Sequence, residues 1–307
     1  LSRPIQEVPL MASATISLTS VGDSKKAKKK SSSGDDKLIN ALTALSREDL
    51  SLKVEQNSGQ WIVKCMSNDH LNLLVERLRV RYGVEVILGE TPVAYRETIA
   101  RTVSKVEGKH KKQSGGSGQF GVCYITAEPL EEGSGIEFES QIKGGVISKT
   151  FINSIEKGVR EQLSEGGPLG FPVTDIRVIL TDGKMHTVDS KDIAFQSAGK
   201  QAIRRALESA GTHLLQPMER VTFLVDESIQ GDINGIVSRV DGYVTASHPT
   251  ENHLAEIEAI IPTACITEVS ETLRAESAGE GQYVSTFSHY QSVPEPQVKT
   301  IVDKWHP

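Results

Sequence analysis

A chain of 307 residues is too long for one ordinary hydrophobic core, so two or three domains are expected. Hydrophobic content of 37% with 24% charged residues fits a soluble globular protein, and no apolar run is long enough to cross a bilayer as a helix. The formal net charge of -6 excludes a uniformly basic nucleic-acid binder, so any hold on a polyanion must come from local basic patches on an acidic body.

Taken in order, residues 1–9 carry two prolines and no periodic pattern, and read as an incoming linker. Met11 to Thr19 alternates as a strand. The lysine-rich run Lys25–Lys30 with Ser31, Ser32, Ser33 and Gly34 reads as a polar connector, with an RNA-touching arm as the alternative. Leu38, Ala41, Leu42 and Leu45 recur at helical spacing. Strands are expected at Leu50 to Gln56 and Gln60 to Met66, joined by the hairpin signal Asn57-Ser58-Gly59. A second helix, capped by Asn68 or Asp69, carries Leu71, Leu74, Val75 and Leu78 and stops at Gly83; Val84 to Leu88 follows as a strand. The order is βαββαβ, the ferredoxin-like pattern.

The middle segment opens with a strand, Ile99 to Val106, then the basic and glycine-rich stretch Glu107 to Gly121, then a strand, Val122 to Ala127. Lys109, His110, Lys111 and Lys112 concentrate positive charge just ahead of Gly115, Gly116 and Gly118, where the backbone is bare. On residues alone this is either a solvated loop or a phosphate-binding one. A helix through Phe151, Ile155, Val159 and Leu163 and a strand, Val173 to Leu180, lead to a second polar loop, Thr181 to Lys191. That loop holds His186 between Lys184 and Lys191; Asp189 or Ser190 is the expected cap of a helix through Phe195, Ala198, Ala202 and Ile203. Both polar loops leave strand ends of one layer, which allows them to converge. An imidazole there is either solvated or placed to stack on an unpaired base or bond a 2′-hydroxyl.

The βαββαβ order then returns. Arg220 to Val225, Tyr243 to Ser247, Ala255 to Ile261 and Tyr283 to His289 are strands. Ile233, Ile236, Val237 and Val240 mark one helix, and Ile266, Val269 and Leu273 the other.

Motifs for covalent or metal chemistry do not stand out. Gly144 to Thr150 falls short of a phosphate-cradling P-loop because Ser148 sits where glycine must precede Lys-Thr, and Asp232-Ile233-Asn234-Gly235 lies in an apolar helical stripe. The eight histidines form no metal-type cluster, and Cys65, Cys123 and Cys265 are far apart, as expected of reduced, mostly buried thiols in a cytoplasmic protein. No catalytic site, cofactor site or metal site is expected in these residues.

Pro92 to Glu97, Glu107 to His110, Lys112 to Gly116, Gly118 to Gly121, Lys143 to Ile147, His186 with Asp189-Ser190 and Ala194-Phe195, Leu215 to Met218, and Gly279 to Tyr290 recur at compatible spacing. Together they resemble domains III, IV and V of elongation factor G, a ribosomal translocation GTPase. The resemblance implies an α+β fold of three domains: ferredoxin-like modules at residues 10–91 and 217–307, the second with a C-terminal tail, flanking a ribosomal protein S5 domain 2-like module at 92–216. It also implies that residues 1–9 end a domain II.

Carried over by position, Gln113, Ser114, Gly115, Gly116 and Gln119 would be first-tip-loop contacts to RNA, beside Lys109, His110, Lys111 and Lys112. His186, with Lys184 and Asp189, would serve the second tip loop. The implied partners are ribosomal RNA, the A-site tRNA–mRNA region and the protein's own G domain and domain II, with the protein a cytoplasmic monomer. GTP and magnesium would belong to that G domain, expected upstream because the chain begins at Leu1 rather than methionine.

Ser67-Asn68-Asp69, Ser117, Thr187, Arg239-Val240-Asp241 and Ile266 to Val269 depart from the family pattern, as a diverged paralogue would. The rival readings are a recycling or ribosomal protection factor, and a stand-alone RNA-binding module.

Overall fold

The computed structural model describes residues 12–19, 31–57, 60–66, 68–112, 118–186 and 188–305. The chain divides into two compact units. The first joins the residues up to Val93 with Met218–Ser288; the second joins Ala94–Pro217 with the residues from His289 onward.

The first unit begins with β1 (Ala12–Leu18), α1 (Ser31–Glu48), β2 (Lys53–Asn57), β3 (Gln60–Cys65), α2 (Asn68–Tyr82) and β4 (Val86–Gly89). Their antiparallel sheet has the order β2-β3-β1-β4, the ferredoxin-like arrangement. Ala12, Ala14 and Ile16 meet Leu38, Leu42 and Leu45 of α1 and Leu71, Leu74 and Leu78 of α2 in one core. At the end of α2, Gly83 has φ of 60° and its N–H donates to the Arg79 carbonyl, an αL stop, while the Val84 N–H donates to the Leu78 carbonyl.

One local expectation needs correction. Ser31 to Gly34, read as a connector, forms the first turn of α1. A helix seeded by the Leu38–Leu45 stripe extends cheaply through serines, which lack a strong breaker's cost. The Lys25–Lys30 run lies outside the described residues, as do residues 58 and 59 between β2 and β3.

The second unit holds β5 (Arg96–Ile99), β6 (Val103–Lys112), β7 (Gln119–Pro129), β8 (Ile136–Ser140), α3 (Lys149–Glu165), β9 (Ile176–Lys184) and α4 (Asp192–Ala210). Its sheet has the order β6-β7-β9-β8, with β8 parallel to β9 and the other pairs antiparallel. Cys123, Ile125 and Ala127 alternate inward from β7, meeting Ile155, Val159 and Leu163 of α3 and Phe195, Ala198 and Ala202 of α4. Burial pushes the Cys123 thiol up to about 12, so it stays protonated and inert.

The expected strand from Ile99 to Val106 is instead two strands, interrupted at residues 100–102. β9 runs on to Lys184, so Thr181 to Lys184 are strand rather than loop, with Thr181 the extra residue where the register shifts and Asp182 to Lys184 paired with β7. Ser148 closes the apparent phosphate motif by capping α3: its hydroxyl accepts the Phe151 N–H at 3.4 Å.

A single strand, β10 (Thr212–Asp226), serves both units: Thr212 to Leu215 pair with β5, and Met218 to Asp226 pair with β12 (Leu254–Pro262). With α5 (Gln230–Arg239), β11 (Tyr243–Pro249), α6 (Ile266–Glu276) and β13 (Gln282–Ser292), it repeats the first topology in the order β11-β12-β10-β13. Phe223, Ile233, Val237, Ile257, Val269 and Leu273 build that core.

The C-terminal segment is a helix, α7 (Glu295–Trp305), where a tail on the third domain was expected. Trp305 meets Tyr95 edge-on at 6.4 Å, and the Tyr290 hydroxyl donates to the Ala94 carbonyl at 2.9 Å. These residues therefore pack with the second unit.

Candidate nucleic-acid interface

β6 and β7 form a long hairpin whose register runs from Val103 opposite Ala127 to Lys112 opposite Gln119. Residues 113–117, between the two strands in sequence, lie outside the described residues, and with them the expected contacts Gln113, Ser114, Gly115 and Gly116. The hairpin end meets the loop that follows β9. Phe120 N–H donates to the Asp189 carbonyl at 2.9 Å, and Ser190 Oγ donates to the Phe120 carbonyl at 3.1 Å. Gly118 sits so close that a Cβ there would stand 2.9 Å from the Asp189 carboxyl carbon. The start of β7 and the loop that follows β9 thus meet at one end of the sheet.

His186 is fixed from three sides. Its N–H donates to Ser190 Oγ at 2.8 Å, and its Nδ1 accepts the Val188 and Asp189 amides at 3.3 Å each. Asp189 Oδ2 is also 3.5 Å from Nδ1, but an Nδ1 that accepts two amides carries no proton for the carboxylate. This pattern assigns the proton of the neutral ring to Nε2, a donor to solvent. The ring stands edge-on to Phe120 at 6.3 Å, and its side chain is 55% exposed. Such a group can donate to a phosphate or 2′-hydroxyl and present a face to a base.

The same bonds correct the helix-cap expectation. Asp189 and Ser190 do not cap α4: Lys191 occupies that position, with no side-chain capping hydrogen bond. Asp189 and Ser190 tie the loop to β7 instead. Gln119 is also partly committed, with its Oε1 3.0 Å from His110 Nε2.

Lys109, Lys111, Lys112 and Lys184 are all exposed. Lys184 is on the last position of β9, opposite Val122, whose other cross-strand neighbour is Lys109. The spacing of the basic residues was visible in the sequence; their distribution between the two sheet faces was not, since it depends on long-range register.

Family models for elongation factor G match consecutively: domain III over residues 24–90, domain IV over 91–211 and the C-terminus over 213–301. An elongation factor G-like protein of Thermotoga maritima is 38% identical over 277 residues, covering 90% of this chain and 40% of that protein. Elongation factor G of Dinoroseobacter shibae is 40% identical over 278 residues, covering 90% and 39%. The crystal structure of a Thermus thermophilus protein superposes with a TM-score of 0.84 at 32% identity, covering 98% of this chain and 44% of the other. The chain thus spans about 40% of the length of these curated relatives. Three matching domain models in order, on the fold described above, place the chain in the elongation factor G-like family, whose domains III, IV and C-terminal domain it carries.

Proposed function

We propose that this chain acts on the ribosome as the domain III–V portion of an elongation factor G-like translation factor in the cytoplasm, as a monomer. Its central module would enter the decoding region tip first and accompany the tRNA–mRNA duplex during translocation. GTP and magnesium enter this reading only through a GTP-binding domain outside residues 1–307, which with domain II would be the chain's intramolecular partner. Within these residues the role is steric and electrostatic.

The observation that carries the reading is the cross-linked tip. Phe120, Asp189, Ser190 and His186 hold the loop after β9 against the start of β7, with the His186 ring exposed there. A probe that enters an RNA cleft needs loops positioned before contact, because ordering them on arrival costs binding energy.

The test is single-turnover translocation by the full-length protein with its GTP-binding domain. His186→Ala should slow the step about tenfold, the effect of losing one positioned hydrogen bond, with unchanged thermal unfolding. An unchanged rate refutes the role of the tip. Splitting of ribosomal subunits by the parent protein without tRNA movement would favour the recycling reading.

A further inference from the structure

The loop that follows α3 and the last two turns of α4 enclose a cavity of about 270 Å³, at the opposite end of α4 from the loop that holds His186. Gln162 and Gly166 to Pro168 form one wall; Arg204, Leu207 and Glu208 form the other. The two helices run in the same direction, since Ser154 Oγ donates to Asp192 Oδ1 at their starts and Arg204 Nη2 donates to Gln162 Oε1 toward their ends. The carbonyl ends of both helices therefore lie on this side, and each lends it partial negative charge.

Two charged side chains face this space, and a carboxyl group lies behind its wall. Arg204 donates to Gln162 Oε1 at 2.8 Å, and the buried Gln162 donates from Nε2 to the Gly166 carbonyl at 3.0 Å. The amide thus orients the guanidinium without neutralising it. Among the described residues neither Arg204 nor Glu208 has an ion pair. They stand four positions apart on α4, but with the basic residue first, the order that pairs less well on a helix. The hidden group is Glu97. A Cβ on Gly167 would stand 2.5 Å from Glu97 Oε2, so this carboxyl lies directly against the glycine of the loop wall. Glu97 is fully buried, and its Oε2 has no hydrogen-bond partner among the described residues.

The geometry points to a binding site for a small zwitterion, a free α-amino acid with an aliphatic side chain. Its carboxylate meets Arg204, its ammonium lies between Glu208 and the Gly166–Gly167 wall, and its side chain rests on Leu207 and Pro168. A much larger ligand does not fit, since sites for drug-sized molecules begin at about 300 Å³. Both signs are needed. A bare amine leaves Arg204 without a counter-charge, and a bare acid faces Glu208 and two helix carbonyl ends with nothing to offset them. The site stands independently of the ribosomal reading.

The probe is L-leucine, titrated into the full chain and followed by saturation-transfer difference NMR. Isocaproate, which lacks the ammonium, and isoamylamine, which lacks the carboxylate, are run alongside. Leucine should saturate with a Kd of about 1–10 mM, and each analogue should bind about tenfold more weakly, as for the loss of one charged hydrogen bond. Glu208→Gln should weaken leucine about tenfold without weakening isocaproate. Arg204→Ala should weaken leucine without weakening isoamylamine, and Arg204→Lys should recover part of the loss. Glu208 is exposed, so Glu208→Gln decides the matter even where Arg204→Ala disturbs Gln162. Leucine signals that never saturate overturn the proposal. So does either analogue binding as tightly as leucine, or a Glu208→Gln variant that holds leucine as well as the parent does.

Discussion

The position of the tip depends on α4, and α4 is seated on α3 through two glycines. A Cβ on Gly158 would stand 2.0 Å from the Gln196 carbonyl oxygen, and one on Gly199 would stand 2.5 Å from that of Ile155. Gly158→Ala should therefore destabilise the second unit, although alanine is the better helix former. The gain from propensity is about 1 kcal/mol. Against it, Cβ contacts below 3.0 Å essentially do not occur, so the helices must part by at least 1 Å or the backbone must shift. Overpacking of this kind costs about 1–3 kcal/mol, and the blocking atom here is backbone rather than a flexible side chain, which puts the cost at or above the top of that range. The net effect should be about 2 kcal/mol, or about 8 °C in the unfolding transition of a body this size.

Gly235→Ala is the internal control. Gly235 is also inside a helix, α5, but a Cβ there meets nothing within 4 Å. The same substitution should stabilise by about 0.5–1 kcal/mol. Differential scanning calorimetry of the two variants reads both signs. A Gly158→Ala variant as stable as the parent, or a destabilised Gly235→Ala variant, would refute the close-packing argument.

Two further outcomes are expected. Glu97 is fully buried, and its Oε1 accepts the Leu169 and Phe171 amides at 3.1 and 2.9 Å; Glu97→Ala should cost about 2–3 kcal/mol in urea unfolding and Glu97→Gln distinctly less. Equal losses would mean that those amide bonds are not the reason. Asp49 accepts from the hydroxyl and N–H of Ser51 and lies 2.9 Å from His70 Nε2 and 3.6 Å from Arg77; the Ser51 hydroxyl foremost, then the Ser51 N–H and His70, hold its carboxyl below the ordinary 3.8 against the opposing effect of burial. A depressed folded-state value means that the stabilisation is complete above the ordinary carboxylate range and is lost as pH falls through the depressed value. The stability gap between the parent and Asp49→Asn should therefore close as pH drops below about 4, and a gap independent of pH in acid titrations followed by circular dichroism would contradict it.

The flanking modules were legible because each helix announces its buried side locally. Leu38, Ala41, Leu42 and Leu45 are all 2% exposed or less, as their spacing required. β8 was missed because Glu137 and Glu139 break a five-residue strand into a polar-looking segment beside two glycines. Its alternation with Ile136 and Phe138 was the available signal. α7 was missed because Pro294 and Pro296 look like breakers, although proline is tolerated in the first turn of a helix, where its missing N–H has no partner to lose. The end of β9 was misplaced because Thr181-Asp182-Gly183-Lys184 has turn composition. Asp182, Gly183 and Lys184 are held in extended form by pairing with Tyr124, Cys123 and Val122, a contact about sixty positions away.

That last pairing bears on how the basic stretch works. Read locally, the glycines of residues 107–121 suggest a bare, pliable backbone, but Gly108 and Gly121 are ladder residues pressed against α4. Each strand residue alternates with its neighbour, so placing Gly108 against Ala198 places Lys109 on the opposite face. Shifting β6 by one position would drive a lysine into the Ala198 carbonyl and turn the glycine to solvent. Gly183 fixes the matching choice on β9, since a Cβ there would stand 2.6 Å from the Val122 carbonyl oxygen as well as against Ile147, and Lys184 is thereby sent outward beside Val122. The small residues that let the sheet settle on its helices are therefore also what sets the direction of the charge. This is why Gly-Lys steps recur at 108–109 and 183–184, in two strands that flank the same valine.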